Sequence, residues 1–358
     1  MILTVRSLRV PPQRDEAILP SYQKIPTFTP MKELLLLLCR YPYDESNRET
    51  LAKLLSEINN REVFVRLVND HGIIALAAYN IKKARLEELV AAKAMAILEN
   101  GLMRSVVRNA WLAERWKEVN EILSNAGIKH ILLKGMALEH TIYGARGLRQ
   151  MTDNDILIRR EEAMDAWHLL QENEFELITP KSSLHLKIIT EFGQHLPALF
   201  KDGYAIEIHK ILFYETDDDD ESYNRLFSDS VEIAIGKEKA YILPEDIHLK
   251  YLIKHHTRHE LAGECQLRTY TDIKLIDPEN SLSFPESFIL HPDQSRQPRY
   301  RRLHYRATVN SVSKGNRFMF ITGDIFPSLR WMKRRYGCST IVAIMKYPQR
   351  IGKLLWLI

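Results

Sequence analysis

Residues 131–158 read ILLKGMALEHTIYGARGLRQMTDNDILI, and this stretch gives the clearest indication of the fold. The apolar run at 131–133 has the character of a short buried strand. A Lys-Gly pair follows it, and residues 136–143 read as a helix. A second apolar run begins at the Asp-x-Asp sequence of residues 153–155. The stretch therefore predicts a strand, a turn and a helix, followed by a second strand with acidic residues at its head.

The two aspartates of this stretch, Asp153 and Asp155, are suited to sharing a cation. In a β-strand, residues two apart project from one face, about 6 to 7 Å apart along the backbone. Oxygen-only ligands favour Mg²⁺ or Mn²⁺, which keep positions for water and phosphate. Because acidic pairs at strand ends are also common as solvated turn residues, this pair alone leaves both interpretations open.

The Lys-Gly pair indicates an anion site. We expect Gly135 to let the backbone turn sharply, so that the start of the following helix directs free N–H groups at an anion. Lys134 adds a positive charge that would reach a phosphate, although the spacing of a complete P-loop is absent.

A third carboxylate lies in residues 196–213, LPALFKDGYAIEIHKILF. Two alternating runs flank a Lys-Asp-Gly turn at 201–203, which predicts a β-hairpin. Glu207 and His209 would share one face of its second strand. An unpaired carboxylate inside such a strand is energetically unfavourable, and a metal shared with Asp153 and Asp155 would explain it.

These motifs together resemble the uncharacterised nucleotidyltransferase-like family of bacteria, a branch of the DNA polymerase β-type nucleotidyltransferase superfamily. The resemblance covers roughly residues 30–345 and includes a His-rich segment and a Leu-Arg-x-x-x-Asp segment downstream. The residues that carry it are Leu132, Leu133, Lys134, Gly135, Tyr143, Arg149, Asp153, Asp155, Glu207, His209, Leu267, Arg268 and Asp272.

The resemblance implies a metal-dependent transfer of a nucleoside monophosphate from a nucleoside triphosphate to a hydroxyl-bearing acceptor that the sequence does not identify. Asp153, Asp155 and Glu207 match the catalytic, metal-binding carboxylates, with Mg²⁺ or Mn²⁺ as the cofactor. Met136 stands where the superfamily commonly has serine, so Lys134 is the candidate to replace that phosphate contact. The remaining site residues are expected at the nucleotide (Lys134, Gly135, Arg149) or in contact with substrate (His209, Arg268, Asp272).

The mechanism expected from these charges is an in-line displacement at the α-phosphorus, with pyrophosphate departing. Replacing Asp155 by Asn should then abolish turnover. It should leave the fold nearly intact, because relieving crowded carboxylates has little effect on stability.

The fold expected is α+β, a small mixed β-sheet core of the nucleotidyltransferase type flanked by N-terminal and C-terminal helical regions. Apolar spacings of three and four predict packed helices before the core. The domains expected are an irregular arm (1–30), a helical region (31–126), the catalytic core (127–235) and a helical, basic C-terminal region (236–358).

Composition is compatible with an enzyme of 358 residues. The three cysteines show no Cys-x-x-Cys spacing, so neither a disulfide framework nor a zinc knuckle is indicated. The N-terminus lacks the apolar core of a signal peptide, and no run approaches the length of a transmembrane segment. A cytoplasmic protein is the expectation.

The histidines of residues 248–259 are candidates for a metal site. His255 and His259 are four residues apart, as on one helical face, but His256 stands where the zinc motif needs a glutamate. Structural or substrate-contacting histidines are favoured over zinc.

The C-terminal segment carries the main charge asymmetry. From residue 294 to 358 there are fourteen Lys or Arg against one acid, a net charge of +13. Such a skew favours a polyanionic partner, whether nucleic acid, a nucleoside triphosphate or an anionic membrane surface. The alternative is that these cationic side chains cover an acidic catalytic lobe or stay solvated. A second function therefore stays open, a catalytically inactive module of the same fold that binds nucleic acid or a biosynthetic partner.

Overall fold

The computed structural model describes residues 28–177, 179–213, 220–312 and 314–355. The irregular arm expected at 1–30 lies almost wholly outside these residues. The helices are α1 (Phe28–Leu38), α2 (Arg48–Ser56), α3 (Arg61–Asp70), α4 (Ile74–Lys83), α5 (Ala92–Asn125), α6 (Lys134–Thr141), α7 (Ala163–Glu172), α8 (Ser183–Phe192), α9 (Asp220–Ser228), α10 (Glu245–Leu261), α11 (Leu267–Ile276), α12 (Pro298–Ser311), α13 (Lys314–Ile325), α14 (Leu329–Tyr336) and α15 (Thr340–Leu355).

Seven strands form one mixed sheet. They are β1 (His130–Leu133), β2 (Asn154–Ile158), β3 (Glu176–Leu177), β4 (Leu199–Lys201), β5 (Tyr204–His209), β6 (Val231–Ile235) and β7 (Glu238–Ile242), in the spatial order β3-β4-β5-β2-β1-β7-β6. Strand β2 is antiparallel to β1 and parallel to β5. The predicted hairpin is confirmed: β4 and β5 pair across Asp202 and Gly203, which both have positive φ. The α+β class, with helices before and after a mixed sheet, is confirmed.

The long helix α5 joins the N-terminal helices to the sheet. Its 34 residues span about 51 Å. Met95 and Leu98 near its start pack in the hydrophobic core of α1 to α4, whereas Leu112 and Trp116 pack against the sheet. The predicted boundary between residues 126 and 127 falls just after this helix, and the division into domains stays a prediction.

The central strands bury both faces. Ile156, Ile206 and Ile208 point toward α5 and α7, whereas Ile131 and Leu157 point into a second core that includes α9 and Tyr251 of α10. Since side chains alternate along a strand, residues 155, 207 and 209 belong to the second face. Helix α10 therefore lies over the strand positions that carry the acids. Among the described residues, no helix combines the length and apolarity needed to cross a bilayer.

His71 ties the N-terminal helices to the C-terminal part of the chain. It is fully buried, its Nε2 lies 2.8 Å from the carbonyl of Ile289, and its Nδ1 lies 3.3 Å from the backbone N–H of Leu267. Since a carbonyl only accepts and an N–H only donates, Nε2 carries the proton and Nδ1 accepts. A second proton, on Nδ1, would point at the backbone N–H of Leu267, which is itself a donor. Burial above all lowers the pKa of His71 from 6.5 to about 4.

This neutral histidine predicts a loss of stability in acid. Between pH 6.5 and 4 the unfolded chain binds a proton that the folded protein excludes, so the free energy of unfolding falls as the pH falls. His71 should contribute up to about 3 kcal/mol of that fall. Urea unfolding of His71→Gln should show a correspondingly shallower dependence on pH. His168→Gln, at an exposed position, is the control, and equal pH dependence in all three proteins would contradict the assignment.

Candidate functional site

Strand register brings a carboxylate pair and an imidazole together. Asp155 on β2 and Glu207 on β5 are Cα partners in neighbouring parallel strands, and His209 lies two residues further along the same face. One ligand atom from each of the three lies within 4.8 Å of the other two. The side chains of Asp155 and His209 are buried, whereas that of Glu207 is 30% exposed. Sequence reasoning placed Glu207 and His209 on one face, and the structure confirms it.

Lys134 is the cation of this cluster. Its Nζ donates to Oδ1 of Asp155 at 2.7 Å, and Nε2 of His209 lies 2.9 Å from the same oxygen. Because Lys134 is the first residue of α6, its backbone position is fixed by the turn from β1. The ion pair is largely shielded from water, with side-chain exposures of 13% for Lys134 and 8% for Asp155. The amino group is thus directed at the carboxylates.

The charges of the cluster are strongly coupled. Burial by itself would raise the pKa of Asp155, but Lys134 and His209 hold it below its ordinary value. Burial first, and the negative charge of Asp155 second, raise the pKa of Glu207. Burial and Lys134 lower the pKa of His209 to about 4, so the ring is neutral near pH 7. The site therefore holds an ionised Asp155, a Glu207 that binds protons more readily, and an imidazole that donates from Nε2 to Asp155.

The donor set fits a divalent metal. The carboxylate oxygens suit Mg²⁺ and Mn²⁺. Burial first, and repulsion from Asp155 second, raise the pKa of Glu207, and a divalent cation would relieve the repulsion. Glu207 and Asp155 are the residues positioned to hold such an ion. His209, in hydrogen-bond contact with Asp155, orients that carboxylate.

Asp153, expected in the same group, lies beside it. Strand β2 begins only at Asn154, and Oδ1 of Asp153 accepts a hydrogen bond from the Thr152 hydroxyl at 3.0 Å. Burial and the charge of Asp155 raise the pKa of Asp153. Asn154 points to the opposite face, where its amide donates to the Tyr204 hydroxyl, as expected from strand alternation. The metal role of Asp153 stays a prediction.

The turn between β1 and α6 differs from the expectation for Gly135. The residue with positive φ is Lys134, at 46°, a strained conformation for a residue with a Cβ, whereas Gly135 is already helical. A Cβ on Gly135 would lie 2.5 Å from Nη1 of Arg149 and 2.9 Å from Sδ of Met151. Gly135 is therefore required by close packing and not by the turn.

Arg149 and Asp272, expected at the nucleotide or substrate, form a buried bidentate ion pair. Nε of Arg149 donates to Asp272 at 3.0 Å and Nη2 at 2.8 Å, and the Tyr143 hydroxyl donates to Asp272 at 2.9 Å. Asp272 is completely buried. Arg268 donates from Nη1 to the carbonyl of Gln150 at 2.8 Å. These contacts join the segment between α6 and β2 to α11, and the proposed ligand contacts of Arg149, Arg268 and Asp272 stay predictions.

Helix α10 supplies residues that sequence reasoning did not assign to the site. The Tyr251 ring lies 6.3 Å from that of His209 and 6.2 Å from that of His255, and Lys134 Nζ lies 6.0 Å from its centroid. Arg258 donates to the side chain of Gln194 at 2.9 Å, near the end of β5. The spacing 251, 255, 259 marks one helical face. The signal in the sequence that could have found this face is the repeat of aromatic and histidine residues every four positions.

The buried ion pair between Arg149 and Asp272 predicts a large stability effect. Asp272→Ala leaves the Arg149 guanidinium buried without its counterion, so the free energy of unfolding should fall by about 3 to 5 kcal/mol. The double variant Arg149→Met, Asp272→Leu should recover part of this loss, because no charge stays buried.

Urea unfolding measures both effects. Glu232→Ala, which removes a surface partner of Lys239, is the control and should change stability by less than about 1 kcal/mol. An Asp272→Ala protein as stable as this control would show that the pair does not hold α11 to the core.

Comparison with known proteins gives one family. The family model described as an uncharacterised nucleotidyltransferase matches residues 59–281, which includes the whole cluster and the Arg149–Asp272 pair. Neither a curated protein nor a solved structure matches the chain.

Proposed function

We propose that this chain, which belongs to the family of uncharacterised nucleotidyltransferases, transfers a nucleoside monophosphate from a nucleoside triphosphate to a hydroxyl group of an acceptor. The observation that carries the proposal is the meeting of Asp155, Glu207 and His209 within 4.8 Å, beside the ammonium group of Lys134. The oxygen of the acceptor hydroxyl attacks the α-phosphorus. The bond from the α-phosphorus to the oxygen that bridges it to the β-phosphorus breaks, and pyrophosphate leaves.

Asp155 and Glu207 would hold the metal, Mg²⁺ or Mn²⁺, with Asp153 as a further ligand. When bound, such an ion supplies positive charge to the phosphate oxygens and lowers the pKa of a bound hydroxyl. His209 keeps the Asp155 carboxylate oriented through its 2.9 Å contact. The neutral state of His209 suits this role, because it adds no positive charge to compete with the metal.

Glu207 is proposed to take the proton of the attacking hydroxyl. Its side chain is partly exposed, so an acceptor can reach it, and its pKa is raised by burial and by Asp155, which makes it a better base than an ordinary carboxylate. Lys134 is proposed to stabilise negative charge on the phosphate, because its buried ammonium group is fixed next to the carboxylates.

The face of α10 that carries Tyr251, His255 and His259 is proposed to bind the β- and γ-phosphates of the nucleotide. Arg258 lies near the end of β5, and the rings of His255 and His259 are in tilted contact with centroids 4.4 Å apart. The Tyr251 ring lies between Lys134 and His255, 6.0 Å from Nζ of Lys134 and 6.2 Å from the His255 ring, which places this face of α10 near the candidate site. An arginine and two imidazoles offer N–H donors to phosphate oxygens.

A catalytically inactive module of the same fold is the second candidate. The observation that favours it is the direct ion pair between Lys134 and Asp155, which neutralises the carboxylate without any metal. Such a module would bind nucleic acid or a biosynthetic partner through the basic C-terminal region. It predicts nucleotide binding that is indifferent to Mg²⁺ and unchanged by Asp153→Ala, whereas the enzyme predicts Mg²⁺-dependent binding that Asp153→Ala weakens.

The sharpest activity test is Glu207→Gln. It keeps the size of the side chain and removes both the base and a metal ligand, so transfer should fall by about 100-fold or more. The melting temperature should stay equal or rise, because repulsion from Asp155 is removed. The measurement is transfer of label from each α-labelled nucleoside triphosphate in a cell extract. Glu176→Gln, an exposed carboxylate on β3 of the same sheet, is the matched control. Undiminished transfer by Glu207→Gln would contradict the proposal.

Asp155→Asn should also abolish transfer, but its effect on stability differs from the sequence expectation. Asp155 is the counterion of the buried Lys134 and the acceptor for His209. Its removal should therefore lower the free energy of unfolding by about 3 to 5 kcal/mol instead of leaving it unchanged. Equal stability of Asp155→Asn and the wild type in urea would show that the ion pair contributes little.

A further inference from the structure

Helices α14 and α15 form a basic helical hairpin. The left-handed Gly337 ends α14, and α15 begins three residues later. After Asp324 the sequence holds seven Lys or Arg residues and no acid. The side chains of Arg330, Lys333, Arg334 and Arg335 on α14 are exposed. The hairpin is therefore a cationic surface outside the candidate functional site.

The outer side of α15 is apolar and exposed. Ile341 and Met345 are each 72% exposed, Ile344 is 55% exposed and Val342 is 41% exposed. Residues 341, 344 and 345 share a helical face because they are three and four apart. Exposed side chains of this size on one face form a continuous apolar patch, which is uncommon on the surface of a monomer.

This exposure does not reflect a poorly packed helix. The opposite side of α15 is anchored: Ala343 is fully buried, and the Tyr347 hydroxyl donates to the carbonyl of Pro327 at 2.5 Å. The Arg350 guanidinium lies 4.9 Å from the centroid of the Trp331 ring on α14. Phe326, which precedes Pro327 in the connection from α13 to α14, is a further apolar side chain that is 60% exposed. The helix thus has one packed side and one apolar side without a covering element among the described residues.

We propose that the outer face of α14 and α15 docks on an anionic phospholipid bilayer. Ile341, Ile344 and Met345 would enter the boundary between headgroups and acyl chains, and the cations of α14 would contact lipid phosphates. A helix of this kind lies in the plane of the membrane surface and does not span it. This proposal is independent of the proposed catalytic function.

The chemistry of the patch favours lipid over two other partners. Nucleic acid offers phosphates to the cations but no apolar environment to aliphatic side chains, and its bases stack on aromatic rings instead. A second copy of the chain would cover the apolar patch, but a symmetric contact would bring two clusters of Arg330, Lys333, Arg334 and Arg335 together. Of these three partners, an anionic bilayer is the one that satisfies the apolar and the cationic groups at once.

The experiment is flotation of the full chain with phosphatidylcholine vesicles, with and without phosphatidylserine. We expect binding only to vesicles that contain phosphatidylserine, and weaker binding as salt is added. The variant Ile341→Asn, Met345→Gln removes apolar groups, and Lys333→Gln, Arg334→Gln removes charges. Each should weaken binding by roughly 10- to 30-fold. The matched control is Met103→Gln, Val107→Asn, which removes equally exposed apolar side chains four apart on α5.

Several outcomes would overturn the proposal. The first is the absence of binding to phosphatidylserine vesicles by the wild type. The second is equal loss of binding in the α15 variant and in the α5 control. Tight binding of RNA that survives Ile341→Asn, Met345→Gln, without vesicle binding, would assign the cations to nucleic acid. A dimer in solution that this variant dissociates would assign the patch to self-association. Circular dichroism melting of every variant establishes that the fold is retained.

Discussion

The buried ion pair between Lys134 and Asp155 is the interaction on which the candidate site depends. It joins the turn after β1 to the first half of β2, and it places a positive charge beside the strand face that carries Asp155, Glu207 and His209. Burial, and after it the ionised Asp155, raise the pKa of Glu207, and Asp155 also accepts a hydrogen bond from Nε2 of His209. The protonation states of these neighbours therefore follow from burial together with the charges of Asp155 and Lys134.

A second buried ion pair, between Arg149 and Asp272, lies next to the turn that carries Lys134. Arg149 lies against Gly135, the residue next to Lys134, at a distance that excludes a Cβ. The C-terminal helix α11, through Asp272, thus holds the Arg149 side chain against the turn that carries Lys134. Through these contacts, a helix far along the chain reaches the turn beside the cluster in the sheet.

Local patterns of the sequence were sufficient for part of this picture. Alternation in residues 204–209 placed Glu207 and His209 on one face, and the Lys-Asp-Gly turn predicted the hairpin, because both depend on neighbours in the chain. The parallel register of β2 and β5 could not be read from the sequence, since it joins residues 52 apart, Asp155 and Glu207. The pairing of Arg149 with Asp272, and the packing role of Gly135, depend on contacts of this long-range kind. Sequence reasoning therefore found the chemical groups but not the buried ion pair between Arg149 and Asp272, and the ligand contacts proposed for these two residues stay predictions.

The central claim is that Asp155 and Glu207 hold a divalent metal for nucleotide transfer. The most direct measurement is anomalous diffraction from crystals grown with Mn²⁺ and a non-hydrolysable nucleoside triphosphate. We expect an anomalous peak that places a manganese ion within bonding distance of the Asp155 and Glu207 carboxylates, with His209 still in contact with Asp155. Ordered nucleotide without manganese at these carboxylates, and with the Lys134 ammonium still on Asp155, would contradict it.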